Sequence, residues 1–207
     1  MPSKTLPIAM ARTVAFRSLA PGRKVIVCGA PASGLVTYIA ARAACERQSV
    51  RVICGDNRFD PYAVARFAKR KGVGPEAALD SILIARAFTA YQLAELINRL
   101  DARSSAGPVL ITGPCTTLFD EEVPAVDAAR LFYRVLWRVV ELARGGMTLF
   151  LAQGDLPKGM RRAYFLKDLC AASDVVLNCD SVHTFRLEQR RPPALPRLAA
   201  LDRLLGD

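Results

Sequence analysis

Residues 24–37, KVIVCGAPASGLVT, decide the fold. They begin with an almost continuous apolar run, Lys24 to Cys28, which is typical of a strand buried on both faces of a parallel sheet. A turn with two glycines and a proline follows over residues 29–34. Residues 35–47 are rich in alanine and end on basic side chains, so they predict a helix. A buried strand, a glycine turn and a helix make the unit from which parallel α/β sheets are built.

The same alternation continues along the chain. Further strands are predicted over short apolar runs at 50–54, 81–86, 109–112 and 147–152. Helices are predicted at 61–71, 75–81, 90–100, 123–144 and 158–172. Two short strands, 174–177 and 184–187, are expected to finish the sheet as an antiparallel pair. We therefore expect an α/β fold with a doubly wound, mostly parallel sheet, whose ligands bind at the carboxyl ends of the strands.

Length and composition limit the class of protein. A chain of 207 residues with 52% hydrophobic residues can form one domain with a sizeable core and is too apolar to be disordered. No apolar run approaches the roughly 20 residues that cross a bilayer, and the N-terminus lacks the apolar segment of a secretory signal. Six cysteines without a CxxC pair, and a single histidine, argue against a metal site. We therefore expect a cytoplasmic protein with reduced cysteines and no membrane partner.

Three regions are distinguished along the chain. Residues 1–21 show no clear period and are expected to be an arm or a short lead-in helix. Residues 22–188 hold the alternating core. Residues 189–207 are a tail with a short amphipathic helix over 194–205, for which docking on the core is favoured over binding a partner.

The formal net charge is +10, which favours polyanionic partners, with nucleic acid first. An arginine-rich solvated surface is the alternative, because much of the excess lies on helices at ordinary spacing. Lys158, Arg161 and Arg162 follow the predicted strand 147–152 at the ligand-binding edge of the sheet. They oppose the dipole at the start of a predicted helix, so they are candidates for a nucleic-acid-binding patch. The alternative is a solvated helix start.

The turn after the first core strand carries part of a phosphate-binding motif. In a P-loop, GxxxxGK[ST], glycine amides converge on phosphates, the lysine neutralises them and the hydroxyl binds Mg²⁺. Both glycines are present here, but Leu35 and Val36 stand where the lysine and the hydroxyl belong. Tight binding of a nucleotide is therefore not expected, although the backbone could still hold an anion. The candidate nucleotide- or anion-binding residues are Gly29, Ala30, Pro31, Ala32, Ser33 and Gly34.

Four segments resemble the RecA-type recombinase family, and specifically its archaeal and eukaryotic branch. Residues 84–92 (IARAFTAYQ) look like that branch's third strand and following loop, and residues 53–61 (ICGDNRFDP) look like the segment after its second strand. Residues 109–113 (VLITG) take the place of the Walker B strand. Residues 149–153 (LFLAQ) resemble the strand that ends in a polar sensor residue. All four occur in the family's order, which implies a RecA-like P-loop core.

The resemblance assigns two candidate catalytic residues. Asp56 falls on the carboxylate that activates the attacking water, and Gln153 falls on the sensor. For Asp56 the alternatives are a cap for the helix near Pro61 or a turn with Arg58. For Gln153 the alternative is a polar loop residue.

The same resemblance implies that hydrolysis is lost. A catalytic P-loop site needs a lysine, a metal-binding hydroxyl and a Walker B carboxylate, and this chain has Leu35, Val36 and Gly113 there. A shifted carboxylate such as Asp120 is an alternative source of the missing acid. The first DNA-binding loop of the family also differs, because the acidic segment 120–122 stands where basic residues are expected.

Three functions follow from these observations. The first is a RecA-like paralogue with a degenerate nucleotide site, acting without hydrolysis as an accessory in DNA recombination or repair and binding DNA, a recombinase or another repair protein. The second is an active, atypical DNA-dependent ATPase with Asp56 as base. The third is a protein-interaction module without DNA binding. No cofactor is assigned, ATP is expected to bind weakly if at all, and an oligomer is left open.

Overall fold

The computed structural model describes residues 4–104, 107–156, 162–181 and 184–189. The strands are β1 (Lys4–Pro7), β2 (Lys24–Cys28), β3 (Val50–Cys54), β4 (Ile82–Arg86), β5 (Val109–Thr112), β6 (Leu149–Gln153), β7 (Val175–Ser181) and β8 (Thr184–Gln189). The helices are α1 (Ile8–Arg17), α2 (Ala32–Cys45), α3 (Pro61–Arg70), α4 (Pro75–Asp80), α5 (Ala90–Asn98), α6 (Ala125–Arg144) and α7 (Tyr164–Ala171). Two short 3₁₀ turns, Ala102–Ser104 and Thr116–Phe119, complete the elements.

All eight strands form one sheet in the order β1-β8-β7-β2-β6-β5-β3-β4. The six strands from β7 to β4 in that order run parallel. At the other end, β7 and β8 form an antiparallel pair, as the sequence predicts, and β1 adds antiparallel to β8. The α/β fold with a doubly wound, mostly parallel sheet is therefore confirmed.

Helices cover both faces of the sheet, and each face has its own apolar core. One core contains α1 to α4 with Val25 and Val27 of β2, and the other contains α5 to α7 with Ile26 of the same strand. This division follows from the alternation of side chains along a strand. Every residue of β2, β5 and β6 is buried, which explains why these strands are nearly continuous apolar runs.

The N-terminal segment, expected to be an arm or a lead-in helix, supplies both a strand and a helix to the domain. In β1, Leu6 pairs with Phe185 of β8, and both side chains are buried. Helix α1 then packs Ala11 and Ala15 into the core that contains α2. The sequence Lys-Thr-Leu-Pro is too short to show a period of two, so the strand was not predicted.

The amino end of β2 is fixed by an ion pair. Lys24 Nζ lies 3.0 Å from Asp174 Oδ2, and the side chains are 9% and 23% exposed. The backbone N–H of Lys24 donates to the same carboxylate oxygen at 2.8 Å, and Asp174 N–H donates to the Lys24 carbonyl at 2.9 Å. The pair therefore joins β2 to the segment that leads into β7.

Of the helices that the structure describes, none combines the length and the apolar character that a bilayer crossing requires. The tail, with its predicted helix at 194–205, lies outside the described residues.

Candidate functional site

The predicted phosphate-binding turn is shortened in the structure. Helix α2 begins at Ala32, three residues before the predicted start at residue 35, so Ser33 and Gly34 lie in its first turn. Leu35 N–H donates to the Pro31 carbonyl at 3.1 Å, and Ala32 N–H donates to the Gly29 carbonyl at 3.0 Å. The early start has a local reason, because proline fixes a backbone angle that suits a helix start and alanine favours the helix.

Gly29 has a steric reason to be glycine. Its φ is +109°, and a Cβ placed on it would lie 2.4 Å from the Cβ of Cys179 in β7. Its N–H donates to the Gln153 carbonyl at 2.9 Å. The close approach of Cys179 in β7 is therefore sufficient to require glycine at this position. The role of the turn in anion binding stays a prediction.

The two positions after the turn belong to the core. Leu35 and Val36 are fully buried and pack with α1, α3 and the sheet. Thr37, the hydroxyl one position later, is also buried, and its Oγ1 donates to the Ser33 carbonyl at 3.2 Å. A lysine or a metal-binding hydroxyl at 35 and 36 would therefore have to leave the core to reach a phosphate.

Asp56 follows β3 at the carboxyl edge of the sheet. Its Oδ1 accepts a hydrogen bond from Thr112 Oγ1 at 2.6 Å and another from Arg58 N–H at 3.1 Å. The turn with Arg58 is therefore present, whereas the cap of α3 is Asp60, whose Oδ1 accepts from Ala63 N–H at 3.0 Å. The catalytic role of Asp56 stays a prediction, and Thr112 is a partner that the sequence did not reveal.

Gly113, at the Walker B carboxylate position, is held in close contact with Asp56. Its φ is +59°, and a Cβ placed on it would lie 2.6 Å from Asp56 Cβ and 2.8 Å from Asp56 N. A Cβ on the neighbouring Gly55 would lie 2.7 Å from the Gly113 carbonyl oxygen. The loops after β3 and β5 therefore touch through their backbones. They fill the space in which a carboxylate at residue 113 would stand.

Gln153, the candidate sensor, is the last residue of β6 and is only 1% exposed. Its Oε1 accepts from Cys115 N–H at 2.9 Å, and its Nε2 donates to Thr116 Oγ1 and to the Gly154 carbonyl, both at 3.3 Å. The amide thus joins β6 to the 3₁₀ turn at Thr116. The alternative of a polar loop residue was wrong, because the side chain is buried, and the sensor role stays a prediction.

Cys115, beside Gln153, is completely buried. Burial raises the pKa of its thiol far above the ordinary value, so the group stays protonated at neutral pH. It packs as a small apolar side chain and is no candidate nucleophile.

Of the three predicted nucleic-acid contacts, Lys158 and Arg161 lie outside the described residues. Arg162 binds the backbone of the loop after β5: its Nη1 donates to the Leu118 carbonyl at 2.5 Å and its Nη2 to the Val123 carbonyl at 2.6 Å. A third contact joins Nη1 to the Asp120 carbonyl at 3.2 Å. Arg162 therefore holds in place the loop that carries the acidic segment 120–122.

One set of the candidate residues meets at the carboxyl edge of the sheet. Asp56, Gln153 and Gly29 come together at the carboxyl edge, through Thr112, Gly113 and the Gln153 carbonyl. Leu35 and Val36, at the lysine and hydroxyl positions, pack in the core, and the backbone at Gly113 contacts Asp56. The loss of the nucleotide site stays a prediction.

Comparisons with known proteins concern the fold. No family model matches the chain, and no curated protein matches its sequence. Among solved structures, the crystal structure of the RadB recombinase is similar, with a TM-score of 0.61 and 17% sequence identity over 84% of each chain. The chain therefore has the RecA-type recombinase fold.

Proposed function

We propose that this chain is a RecA-like accessory of DNA recombination or repair that binds its partners without hydrolysing ATP. The observation that carries the loss of hydrolysis is the contact between Gly113 and Asp56, which occupies the Walker B carboxylate position. The burial of Leu35 and Val36, at the lysine and hydroxyl positions, also supports the loss of hydrolysis. Phosphoryl transfer depends on neutralising phosphate charge with a lysine and a metal ion. Neither has a place among these residues.

Purified protein is expected to show no ATP turnover above background with Mg²⁺, with or without DNA. The measurement is release of inorganic phosphate from ATP. Asp56→Asn and Asp120→Asn are measured beside the parent, because Asp56 is the candidate base and Asp120 is the candidate replacement for the Walker B carboxylate. A turnover of about 1 s⁻¹ or faster that is lost in one of the two variants would favour the atypical ATPase and show which acid acts.

DNA binding is proposed to use Lys158 and Arg161, with Arg162 acting on the neighbouring loop. The acidic segment 120–122 repels a phosphate backbone at the loop after β5. Lys158 and Arg161 follow β6 in the sequence and are the alternative source of cationic contacts. Because Arg162 already binds three carbonyl oxygens, its main effect is expected to be on that loop.

The double variant Lys158→Ala/Arg161→Ala is expected to weaken DNA binding equally for different sequences. It should also reduce the slope of log affinity against log salt by about two units, since each lost phosphate contact removes about one. The measurement is fluorescence anisotropy of labelled DNA at several salt concentrations. Lys69→Ala, an exposed cation on α3, is the matched control and should leave the slope unchanged. If the double variant binds DNA as the parent does, the result favours the protein-interaction alternative.

The protein-interaction alternative is favoured by the sheet edge at β4. Leu83 and Ile84 are consecutive residues of this edge strand, so their side chains lie on opposite faces of the sheet. They are 60% and 39% exposed, so the sheet is open to solvent on both faces at β4. Phe88, just beyond the strand, is 70% exposed. An edge strand with exposed apolar side chains is a common protein-binding surface. We propose this edge as the contact for a recombinase or another repair protein.

The cytoplasm is the proposed location. No disulfide joins any of the six cysteines, all of which lie in the described residues, and this supports a reducing compartment.

A further inference from the structure

Two thiols meet between the central strand β2 and helix α7. Cys28 is the last residue of β2, and Cys170 lies in the last turn of α7. Their Sγ atoms are 3.7 Å apart, although the two residues are 142 positions apart in the sequence. At this distance one thiol donates a weak hydrogen bond to the other sulfur. The contact is therefore made by the tertiary fold and has no local origin.

The two thiols differ in their access to solvent. Cys28 is only 8% exposed, whereas Cys170 is partly exposed. An oxidant in solution therefore meets Cys170 first, and Cys28 is sheltered behind it. Cysteines that sense peroxides commonly combine an accessible thiol with a second cysteine close enough to form a disulfide with it.

Two further cysteines near this contact are poorer partners for Cys170. Cys115 is completely buried, and burial first, then the nearby thiol of Cys170, raise the pKa of Cys115. It stays protonated and is a poor nucleophile. Cys179 of β7 packs against the core that contains α1 to α4, whereas Cys28 and Cys170 belong to the core on the other face of the sheet. Cys28 is therefore the thiol placed to react with Cys170.

Helix α7 depends on its tertiary contacts. It has eight residues, and no side-chain hydrogen bond caps its start in the described part of the chain. Isolated helices shorter than about 12 residues are marginal in water. Phe165 and Leu169 are buried, and Tyr133 Oη donates to Asp168 Oδ2 at 3.0 Å. A covalent bond at Cys170 would add a link from the last turn of this helix to β2.

We propose that Cys28 and Cys170 form a reversible disulfide when the protein meets hydrogen peroxide, and that this bond fastens α7 to β2. The Cys170 thiolate attacks one peroxide oxygen, the O–O bond breaks, and the hydroxide that leaves takes up a proton to become water. Cys170 then carries a sulfenic acid. Cys28 Sγ attacks the Cys170 sulfur, the S–O bond breaks, and hydroxide leaves with the Cys28 proton as a second water. Two thiols thus lose two electrons, and one peroxide gains them.

The geometry allows the bond to form with a small local movement. A disulfide is about 2.05 Å long, so the two sulfur atoms must approach by about 1.7 Å from their present contact. A small thiol such as glutathione can reverse the reaction by thiol–disulfide exchange. The device is therefore compatible with a reducing compartment, in which disulfides are usually transient.

The test begins with peroxide treatment of the folded, full-length protein, followed by blocking of the remaining thiols, trypsin digestion and mass spectrometry. Cleavage at lysine and arginine places Cys28 in peptide 25–42 and Cys170 in peptide 168–186. We expect these peptides to be joined, with two hydrogen atoms lost, and to be separated by dithiothreitol. Cys170→Ser should abolish the link. Cys28→Ala should leave the sulfenic acid on Cys170 unresolved, so dimedone labelling should rise about tenfold over the parent.

Cys179→Ser is the matched control. Cys179 lies in the same tryptic peptide as Cys170 and is also partly exposed, but it packs against the other core. This variant should form the link as the parent does. Circular dichroism checks that each variant is folded. Cys170→Ser changes a partly exposed side chain, so this arm of the test does not depend on substituting the buried Cys28.

Hydrogen exchange measures the fastening of α7. In the oxidised protein the amides of residues 164–171 should exchange about tenfold more slowly than in the reduced protein, because a cross-link restricts local opening. Peroxide-treated Cys170→Ser should show no such slowing.

Each contrary outcome identifies what is wrong. Peptides that stay separate in the folded protein overturn the disulfide. A link that persists in Cys170→Ser, or is lost in Cys179→Ser, makes Cys179 the partner and overturns the assignment, and so does a link between two chains on a non-reducing gel. If α7 exchanges equally fast in both forms, the fastening of α7 is wrong. None of these measurements uses ATP or DNA, so the proposed function is tested separately.

Discussion

Gly113→Asp is expected to lower the free energy of unfolding by about 3 kcal/mol or more and to leave ATP turnover at background. The substitution restores a carboxylate at the Walker B position, but its Cβ would overlap Asp56, at 2.6 Å from Asp56 Cβ. The φ of +59° adds strain for any residue other than glycine. Overpacking costs about 1–3 kcal/mol and the left-handed backbone about 1–2 kcal/mol. Urea unfolding followed by circular dichroism measures the loss.

Gly72→Asp separates the two contributions. Gly72 also has a positive φ, +70°, but a Cβ there would meet no atom within 4 Å. This control should therefore lose only the backbone part, about 1–2 kcal/mol. If Gly113→Asp is as stable as the parent and hydrolyses ATP, the site is open and the proposal of lost hydrolysis is wrong.

The second large effect is expected at the amino end of β2, on the side of the sheet away from the carboxyl edge. Asp174→Ala leaves the buried Lys24 ammonium without its counter-charge and removes the acceptor of the Lys24 N–H. Breaking a fully buried pair costs about 3–5 kcal/mol, and the partial exposure of Asp174 reduces the expectation to about 2–3 kcal/mol. Thermal and urea unfolding measure the change.

The exposed pair of Glu95 and Arg99 is the control. Its atoms are 2.7 Å apart, but both side chains are largely exposed, so Glu95→Ala should change stability by less than about 1 kcal/mol. The double variant Lys24→Met/Asp174→Leu should recover much of the loss, because it removes the charge that was left alone. Equal effects of Asp174→Ala and Glu95→Ala would show that the β2 pair contributes no more than a surface contact.

The sequence was sufficient for the fold because the strands of a parallel sheet are continuous apolar runs. β2, β3 and β5 were predicted with the bounds that the structure shows. Elements without such a signal were missed in the prediction, or their first residue was predicted wrongly. The short β1 carries no such signal, and α2 begins three residues before its predicted start because Pro31 and Ala32 already favour a helix.

The candidate site was predictable only as a set of loops. Strand ends in a parallel sheet converge, so Asp56, Gly113 and Gln153 were expected at one edge. The contacts that decide their roles join residues distant in sequence: Thr112 with Asp56, Cys115 with Gln153, and Leu118 with Arg162. No local pattern encodes such partners. The residue types at 35, 36 and 113 predict a lost site, but the burial of Leu35 and Val36 and the contact between Gly113 and Asp56 cannot be read from the sequence.

The pairing of β1 with β8 sets the order in which this chain can complete its fold. Thr5 of β1 pairs with Arg186 of β8. The first strand of the chain therefore has no neighbouring strand until the last one has been made. During synthesis β2, β3, β4 and β5 emerge well before β6, which separates β2 from β5 in the sheet. A partly made chain therefore carries unpaired edges on β2 and β5, which can pair wrongly until β6 has been made, and β2 keeps a second unpaired edge until β7 follows. The high sequence separation of these contacts favours slower folding than that of a helical domain of the same length, so the unpaired strand edges stay exposed for longer.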